Sequence, residues 1–98
     1  MVITVRLHGV LSGYADGQRH VEVAIADGGT VELVLDALTE RYPAVGRRVR
    51  DETGAVRRHI NLFVDGQQIR ELGGTQHRPR PGAELLILPA VSGGATFS

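Results

Sequence analysis

The chain of 98 residues contains no cysteine, no tryptophan and no lysine, and only two phenylalanines and two tyrosines. Without cysteine there can be no disulfide framework, no thiolate nucleophile, no cysteine-ligated zinc site and no iron–sulfur cluster. No apolar run approaches the roughly 18–20 residues that a membrane-spanning helix needs, and the first residues lack the basic region and cleavage site of a signal peptide. These absences predict a cytoplasmic protein that carries no chemistry on a sulfur side chain.

Charge and size exclude further classes. Eleven arginines balance eleven acidic residues, whereas a general nucleic-acid binder usually carries a basic excess. The length fits one domain and is too short for two. A domain of this size buries only about 60–65% of the surface of its unfolded chain, so a deep catalytic cavity is not expected. We therefore predict a protein that is not an enzyme and has no nucleic-acid or membrane partner.

Alternating apolar and polar residues predict the strands. The alternation runs from Val2 to His8 and returns from Arg19 to Ala26, which is typical of a hairpin with a long, glycine-containing loop. A third strand is predicted at His59–Val64, closed by the turn signal Asp65-Gly66. The run Glu84–Leu88 is apolar at its last four positions, which is typical of a strand buried on both faces.

One helix is predicted between the second and third strands. Thr30 is a good N-cap, and the apolar residues after it recur at spacings of three and four: Val31, Val34, Leu35, Leu38 and Tyr42. Pro43 is expected to end this helix, residues 45–49 to add a short turn, and Ile69 to form a short return after the third strand. The order ββαββ predicts an α+β fold, with one main helix on one face of a mixed sheet of about four strands. If the first and last strands pair in parallel at the centre, this is a β-grasp (ubiquitin-like) fold.

Three adjacent glycine pairs occur, and their contexts differ. Gly28-Gly29 and Gly73-Gly74 lie at predicted turns. Gly93-Gly94 follows the last apolar strand, where no further element needs a turn. The context favours a functional pair over a merely mobile terminus.

The segment Leu86–Gly94, which reads LILPAVSGG, and the segment His59–Gly66, which reads HINLFVDG, resemble the MoaD/ThiS family of ubiquitin-like sulfur-carrier proteins. The resemblance implies a carrier that binds no cofactor itself. An E1-like adenylating partner would use ATP to activate the carboxylate of Gly94, and sulfur would then be carried there as a thiocarboxylate. A sulfur-accepting enzyme of cofactor, amino-acid or secondary-metabolite biosynthesis would receive it. Glycine suits this role because it has no Cβ to obstruct a narrow channel or the attack on the carbonyl carbon.

The sequence departs from the family pattern after Gly94, where Ala95–Ser98 follow. A peptide-bonded Gly94 has no free carboxylate. The resemblance therefore implies that a peptidase, expected to be of the JAMM type, cleaves between Gly94 and Ala95. The predicted organisation is a β-grasp domain over residues 1–91 and a flexible tail over residues 92–98. Two alternatives stay open: a protein modifier conjugated through Gly94, and an interaction module whose tail is never cut.

The resemblance also implies docking through the open face of the sheet and the tail. The residues predicted to bind the partner are Phe63, Leu85, Ile87, Pro89 and Val91. An apolar patch on an uncovered face is what a partner would contact. The alternative for Phe63 is ordinary packing under a loop.

Two sets of polar residues are candidate sites. The arginines 47, 48, 50, 57 and 58 suit an acidic partner or a phosphate, but the interleaved Asp51 and Glu52 favour a solvated helix end and loop. The four histidines, at positions 8, 20, 59 and 77, lie in separate predicted elements without metal-ligand spacing. No metal site is predicted.

Overall fold

The structure, a computed structural model, describes residues 1–89 and contains one mixed sheet. Its strands are β1 (Val2–Leu7), β2 (His20–Ala24), β3 (Ile60–Val64), β4 (Gln67–Gln68) and β5 (Glu84–Pro89). They lie in the order β2-β1-β5-β3-β4. The pair β1–β5 is parallel and the other pairs are antiparallel. The predicted β-grasp arrangement, with the first and last strands parallel at the centre, is confirmed.

The sheet has five strands rather than about four. The additional strand β4 has only two residues, which pair with the end of β3 through Phe63↔Gln68 and Val64↔Gln67. Asp65 and Gly66, which connect them, both have positive φ angles of 49° and 86°, as the tight turn of a two-residue hairpin requires. The predicted return at Ile69 is wrong, because Ile69 instead begins a 3₁₀ helix that extends to Leu72.

Two helices cover one face of the sheet. Helix α1 (Val31–Arg41) begins at Thr30, whose hydroxyl accepts a hydrogen bond from the backbone N–H of Leu33 at 3.3 Å, so the predicted N-cap is confirmed. Its buried side chains are Val31, Val34, Leu35 and Leu38. Pro43 ends α1 and also begins helix α2 (Pro43–Val49), because a proline at the first helical position loses no hydrogen bond.

The predicted first loop is partly a 3₁₀ helix over Gly9–Ala15, which buries Leu11 and Ala15. A further short 3₁₀ helix covers Gly74–Gln76. Such segments have a three-residue repeat and poor hydrogen-bond geometry, so they leave little periodic signal in a sequence.

The core lies between the helices and the inward face of the sheet. It includes Ile3 and Val5 of β1, Val23 of β2 and Leu62 of β3, each at most 2% exposed. Within residues 1–89 no polar or charged residue is buried, so this core offers no internal polar site. None of the helices in this part of the chain has both the length and the apolarity needed to cross a bilayer.

Candidate docking face and strand exit

Strand β5 occupies the centre of the sheet and is held on both sides. On one side Leu7 of β1 lies opposite Ile87, and the backbone N–H of His8 donates to the carbonyl oxygen of Ile87 at 3.2 Å. On the other side Ile60 of β3 lies opposite Pro89, the last described residue. Strand β5 therefore ends between two neighbouring strands and not at a free edge of the sheet.

Four of the predicted functional residues lie outside the described part of the chain: Val91, Gly93, Gly94 and Ala95. Their roles in partner binding, thiocarboxylate formation and cleavage stay predictions. The end of β5 fixes where the segment that carries them begins.

The face of the sheet opposite the helices carries an apolar row. Phe63 of β3 lies directly opposite Leu86 of β5, and Leu88 lies opposite Asn61. Opposed residues of an antiparallel pair share one face, and these three apolar side chains are half-buried, whereas the alternate positions on both strands form the core. We call Phe63, Leu86 and Leu88 the apolar row.

The placement of Leu85 and Ile87 beside Phe63 is corrected by the structure. Leu85 is 1% exposed and Ile87 is 0% exposed, and both pack in the core. Strand parity is the reason, since successive side chains of a strand point to opposite faces. The outward positions of β5 are those of Leu86 and Leu88, which sequence reasoning missed. The available signal was the polar Glu84, which shares their parity.

The open face changes from apolar to charged across the sheet. Beside Leu86 on β1 lies Arg6, which in turn lies opposite His20 of β2. On the other side, the side-chain amide of Gln68 donates to Oδ1 of Asn61 at 3.0 Å and links β4 to β3. The apolar row is therefore bordered by polar groups on both sides. Protein–protein interfaces have the same arrangement, with an apolar centre and a polar, solvent-accessible rim.

The five clustered arginines of the sequence separate in the structure. Arg50 is largely buried, with 13% of its side chain exposed, and its guanidinium lies 2.8 Å from Oδ1 of Asp36 on α1. It also donates to Oγ1 of Thr39 at 3.4 Å, so Arg50 joins α2 to α1. Arg58 is exposed. Arg47 and Arg48 are exposed and Arg57 is half-buried, and the three line one depression with His59.

Asp51 stabilises the loop after α2. Its carboxylate accepts hydrogen bonds from the side chain and backbone of Thr53 and from the backbone of Ala55. These bonds, that of the Thr53 hydroxyl foremost, hold the pKa of Asp51 below its ordinary value. A carboxylate kept ionised in this way braces a loop and does not act as a general acid or base at neutral pH. Within residues 1–89, no three acidic or histidine side chains come together as metal ligands.

Comparisons with known proteins agree with this geometry. The model of the ThiS family matches residues 9–94 and so ends on Gly94. The sulfur carrier protein CysO of Mycobacterium tuberculosis is 31% identical over 96 residues, which cover 96% of this chain and 100% of that protein. The crystal structure of SAMP1 from Haloferax volcanii, at 32% identity and a TM-score of 0.84, covers 96% of this chain and 100% of its own. A chain of the BexX/CysO complex from Amycolatopsis orientalis, at 32% identity and a TM-score of 0.82, covers 94% and 99%.

Proposed function

The chain belongs to the ThiS family, and on that premise we propose that it is a ubiquitin-like sulfur carrier that bears sulfur as a thiocarboxylate on Gly94. The observation that carries the proposal is the match to the family model, which ends on Gly94. That residue lies five positions after Pro89, the last described residue, which pairs with Ile60 next to the centre of the sheet. Five extended residues reach about 17 Å, enough to carry a terminal carboxylate from the domain into the cleft of a partner.

The partner supplies the catalytic groups in this scheme. A carboxylate oxygen of Gly94 attacks the α-phosphorus of ATP, which releases pyrophosphate and leaves an acyl adenylate. A persulfide of the sulfur-donating partner then attacks the carbonyl carbon and expels AMP. A second thiol attacks the partner-bound sulfur of the resulting acyl disulfide, which breaks the sulfur–sulfur bond, so that the thiocarboxylate leaves on Gly94 and a disulfide forms on the partner. The carrier's contribution is an unobstructed carbonyl, which glycine provides.

Removal of the residues after Gly94 must come before this chemistry. Ala95–Ser98 keep the carbonyl of Gly94 in a peptide bond, and an amide cannot be adenylated on oxygen as a carboxylate can. We infer that a peptidase, of the JAMM type by family resemblance, cleaves between Gly94 and Ala95. The full chain is then an inactive precursor.

The apolar row provides the contact with the activating enzyme in this proposal. CysO of Amycolatopsis orientalis forms a complex with BexX, which supports the expectation that carriers of this family work through a docked partner. Half-buried leucine and phenylalanine side chains on an uncovered sheet face are suitable anchors.

The experiment compares two lengths of the chain. A chain ending at Gly94 and the chain of 98 residues are incubated with the adenylating enzyme encoded in the same genome, ATP and a persulfide source, and intact masses are measured. We expect the shorter chain alone to gain the mass of sulfur replacing oxygen. A shorter chain that never gains this mass, or a full chain that gains it equally well without cleavage, would contradict the proposal.

A second candidate is protein modification through the same carbonyl. Small archaeal modifier protein 1 of Haloferax volcanii is 36% identical over 78 residues, which cover 80% of this chain and 85% of that protein. An amine that attacks the activated Gly94 would give an amide instead of a thioacid. Mass spectrometry of tryptic peptides from a host extract supplied with the shorter chain separates the two, because only conjugation leaves a lysine that carries the C-terminal tryptic peptide of this chain, which ends at Gly94 and has no arginine after position 80.

A further inference from the structure

Two basic depressions lie on the surface near the end of β5. The first, of about 430 Å³, is lined by the charged and titratable side chains of Arg6, His8, Arg19 and His20. The second, of about 310 Å³, is lined by Arg47, Arg48, Arg57 and His59. No aspartate or glutamate of the described residues lines either depression. We call these eight residues the basic collar.

Backbone pairing places the two depressions on opposite sides of Pro89. On the β1 side, His8 donates to the carbonyl of Ile87, and a Cβ on Gly9 would lie 3.9 Å from Cγ of Pro89. On the β3 side, His59 directly precedes Ile60, which lies opposite Pro89. The segment that leads to Gly94 therefore starts between the two halves of the collar.

Most collar arginines have no close ion-pair partner among residues 1–89. Among residues 1–89, the one ion pair that involves a collar arginine joins Arg6 to Glu84 at 3.6 Å. Arg57 donates to the backbone oxygen of Arg47 at 2.9 Å, and the guanidinium of Arg48 lies 4.5 Å from the ring centroid of Tyr14. These contacts orient the guanidinium groups. On the β3 side the charge is partly compensated, because Arg57 contributes to the lowered pKa of Asp51, and Arg47 and Arg57 also line a neighbouring depression with Asp51 and Glu52. A chain with zero net charge thus concentrates five of its eleven arginines around one exit point.

The distance between Pro89 and Gly94 limits which anionic groups the collar can contact. When residues 90–94 are extended in a partner's channel, Gly94 lies about 17 Å beyond Pro89. The phosphates of a nucleotide that reacts with Gly94 are then out of reach of side chains on the body of the domain. The groups within reach of the collar are those at the mouth of the channel.

We propose, resting on the function proposed above, that the basic collar docks on a ring of carboxylates at the mouth of the adenylating partner's cleft. Charge pairing at such a rim raises the rate of encounter and fixes orientation more than it adds affinity. Since the collar surrounds the exit point, attraction to an acidic mouth directs the segment that carries Gly94 into the channel. The apolar row then provides the contact that holds the complex.

The first experiment needs neither adenylation nor a partner enzyme. The ¹⁵N-labelled full chain is titrated with an octaglutamate peptide, and chemical-shift changes are recorded at low and at high salt. We expect changes at collar residues that disappear at high salt and are absent around Arg78 and Arg80, before the opposite end of β5. No response of the collar would overturn the inference, and so would a stronger response to ATP or to a single-stranded RNA of equal charge.

The second experiment measures docking with matched variants. Arg19 and Arg47 are exposed, and no hydrogen bond or ion pair of their side chains occurs within residues 1–89. The double variant Arg19→Gln/Arg47→Gln, in the chain ending at Gly94, is compared with Arg78→Gln/Arg80→Gln, which removes the same charge elsewhere. Because Arg78 donates to the carbonyl oxygen of Gly28 and Arg80 pairs with Asp65, urea denaturation first checks that the control variant is folded. We expect the collar variant to associate about tenfold more slowly with the adenylating enzyme at low salt, with a weaker salt dependence.

The outcomes separate this inference from the function on which it rests. Equal association rates for the two double variants would overturn the collar as a docking surface, even if Gly94 is still charged with sulfur. Conversely, a collar that responds to octaglutamate in a chain that no enzyme adenylates would leave the acidic-partner inference standing and remove the carrier function.

Discussion

Alanine substitution of the neighbouring residues Leu85 and Leu86 of β5 should affect different properties, the stability of the fold in the first case and docking to a partner in the second. Leu85 is 1% exposed and lies opposite both Val5 and Val64, inside the core. Leu86 is half-buried on the other face, between Arg6 and Phe63. Because the two residues have the same side chain and adjacent positions, the substitutions differ only in the face from which a side chain is lost.

The sizes of the two effects follow from burial. A leucine-to-alanine change in a packed core costs about 2–5 kcal/mol, which is a large share of the roughly 5–15 kcal/mol of a small domain. At about 4–8 °C per kcal/mol, Leu85→Ala should lower Tm by roughly 10 °C or more. Leu86→Ala removes atoms that still contact water, and about 1 kcal/mol is expected.

Urea denaturation of the chain ending at Gly94 measures both free energies of unfolding, and binding to the adenylating enzyme measures docking. Leu86→Ala should weaken docking while leaving a well-folded domain. Leu85→Ala should bind nearly normally under conditions in which it is folded. If Leu86→Ala proved the more destabilising of the two, or if only Leu85→Ala weakened docking, the assignment of the two faces would be refuted.

Two further predictions concern the helix pair and the loop that follows it. Gly46→Ala should destabilise the domain by about 1–3 kcal/mol, because a Cβ there would overlap the side chain of Thr39; Thr39→Ala in the same chain should restore part of the loss in urea denaturation, and full additivity would contradict the contact. Thr53→Ala should raise the pKa of Asp51 towards its ordinary value, since the Thr53 hydroxyl is the main cause of the lowering. Because the pKa of Asp51 is lower in the folded state, its contribution to stability is present above the ordinary carboxyl pKa and is lost as the pH falls through the folded value; an NMR titration in which Thr53→Ala leaves the Asp51 midpoint unchanged would refute this account.

The elements with a regular apolar pattern or a recognisable capping residue were predictable from the sequence. Strands β1 and β2 alternate cleanly, and α1 has an apolar stripe behind the N-cap Thr30. The parallel pairing of β1 with β5 was the condition of the β-grasp hypothesis, which a ββαββ order allows but does not require. The elements that were missed are those with little period: the two-residue β4, the 3₁₀ helices, and the full extent of α2 after Pro43.

The candidate site was harder to predict than the fold. The four apolar residues Leu85–Leu88 do not by themselves assign the outward side of β5, because either parity leaves a leucine on each face. The polar Glu84 before them is the one signal that indicates the outward parity. The two halves of the basic collar, one from β1 and β2 and the other from α2 and the segment before β3, are distant in sequence. They come to opposite sides of β5 because β1 and β3 both pair with it. A count of charges gives zero for the whole chain and does not show where they lie.

Strand β5 itself argues for a partner on the open face. Its consecutive apolar residues are typical of a strand buried on both faces, yet the helices cover only one face of this sheet. Neighbouring β1, in the same sheet, places Thr4 and Arg6 at the corresponding outward positions, so solvent exposure does select polar residues there. Leu86 and Leu88 do not pack in the core and are only half-buried within the domain. A second protein that covers this face would complete their burial, and the collar beside them would then border the same interface from which the segment leading to Gly94 departs.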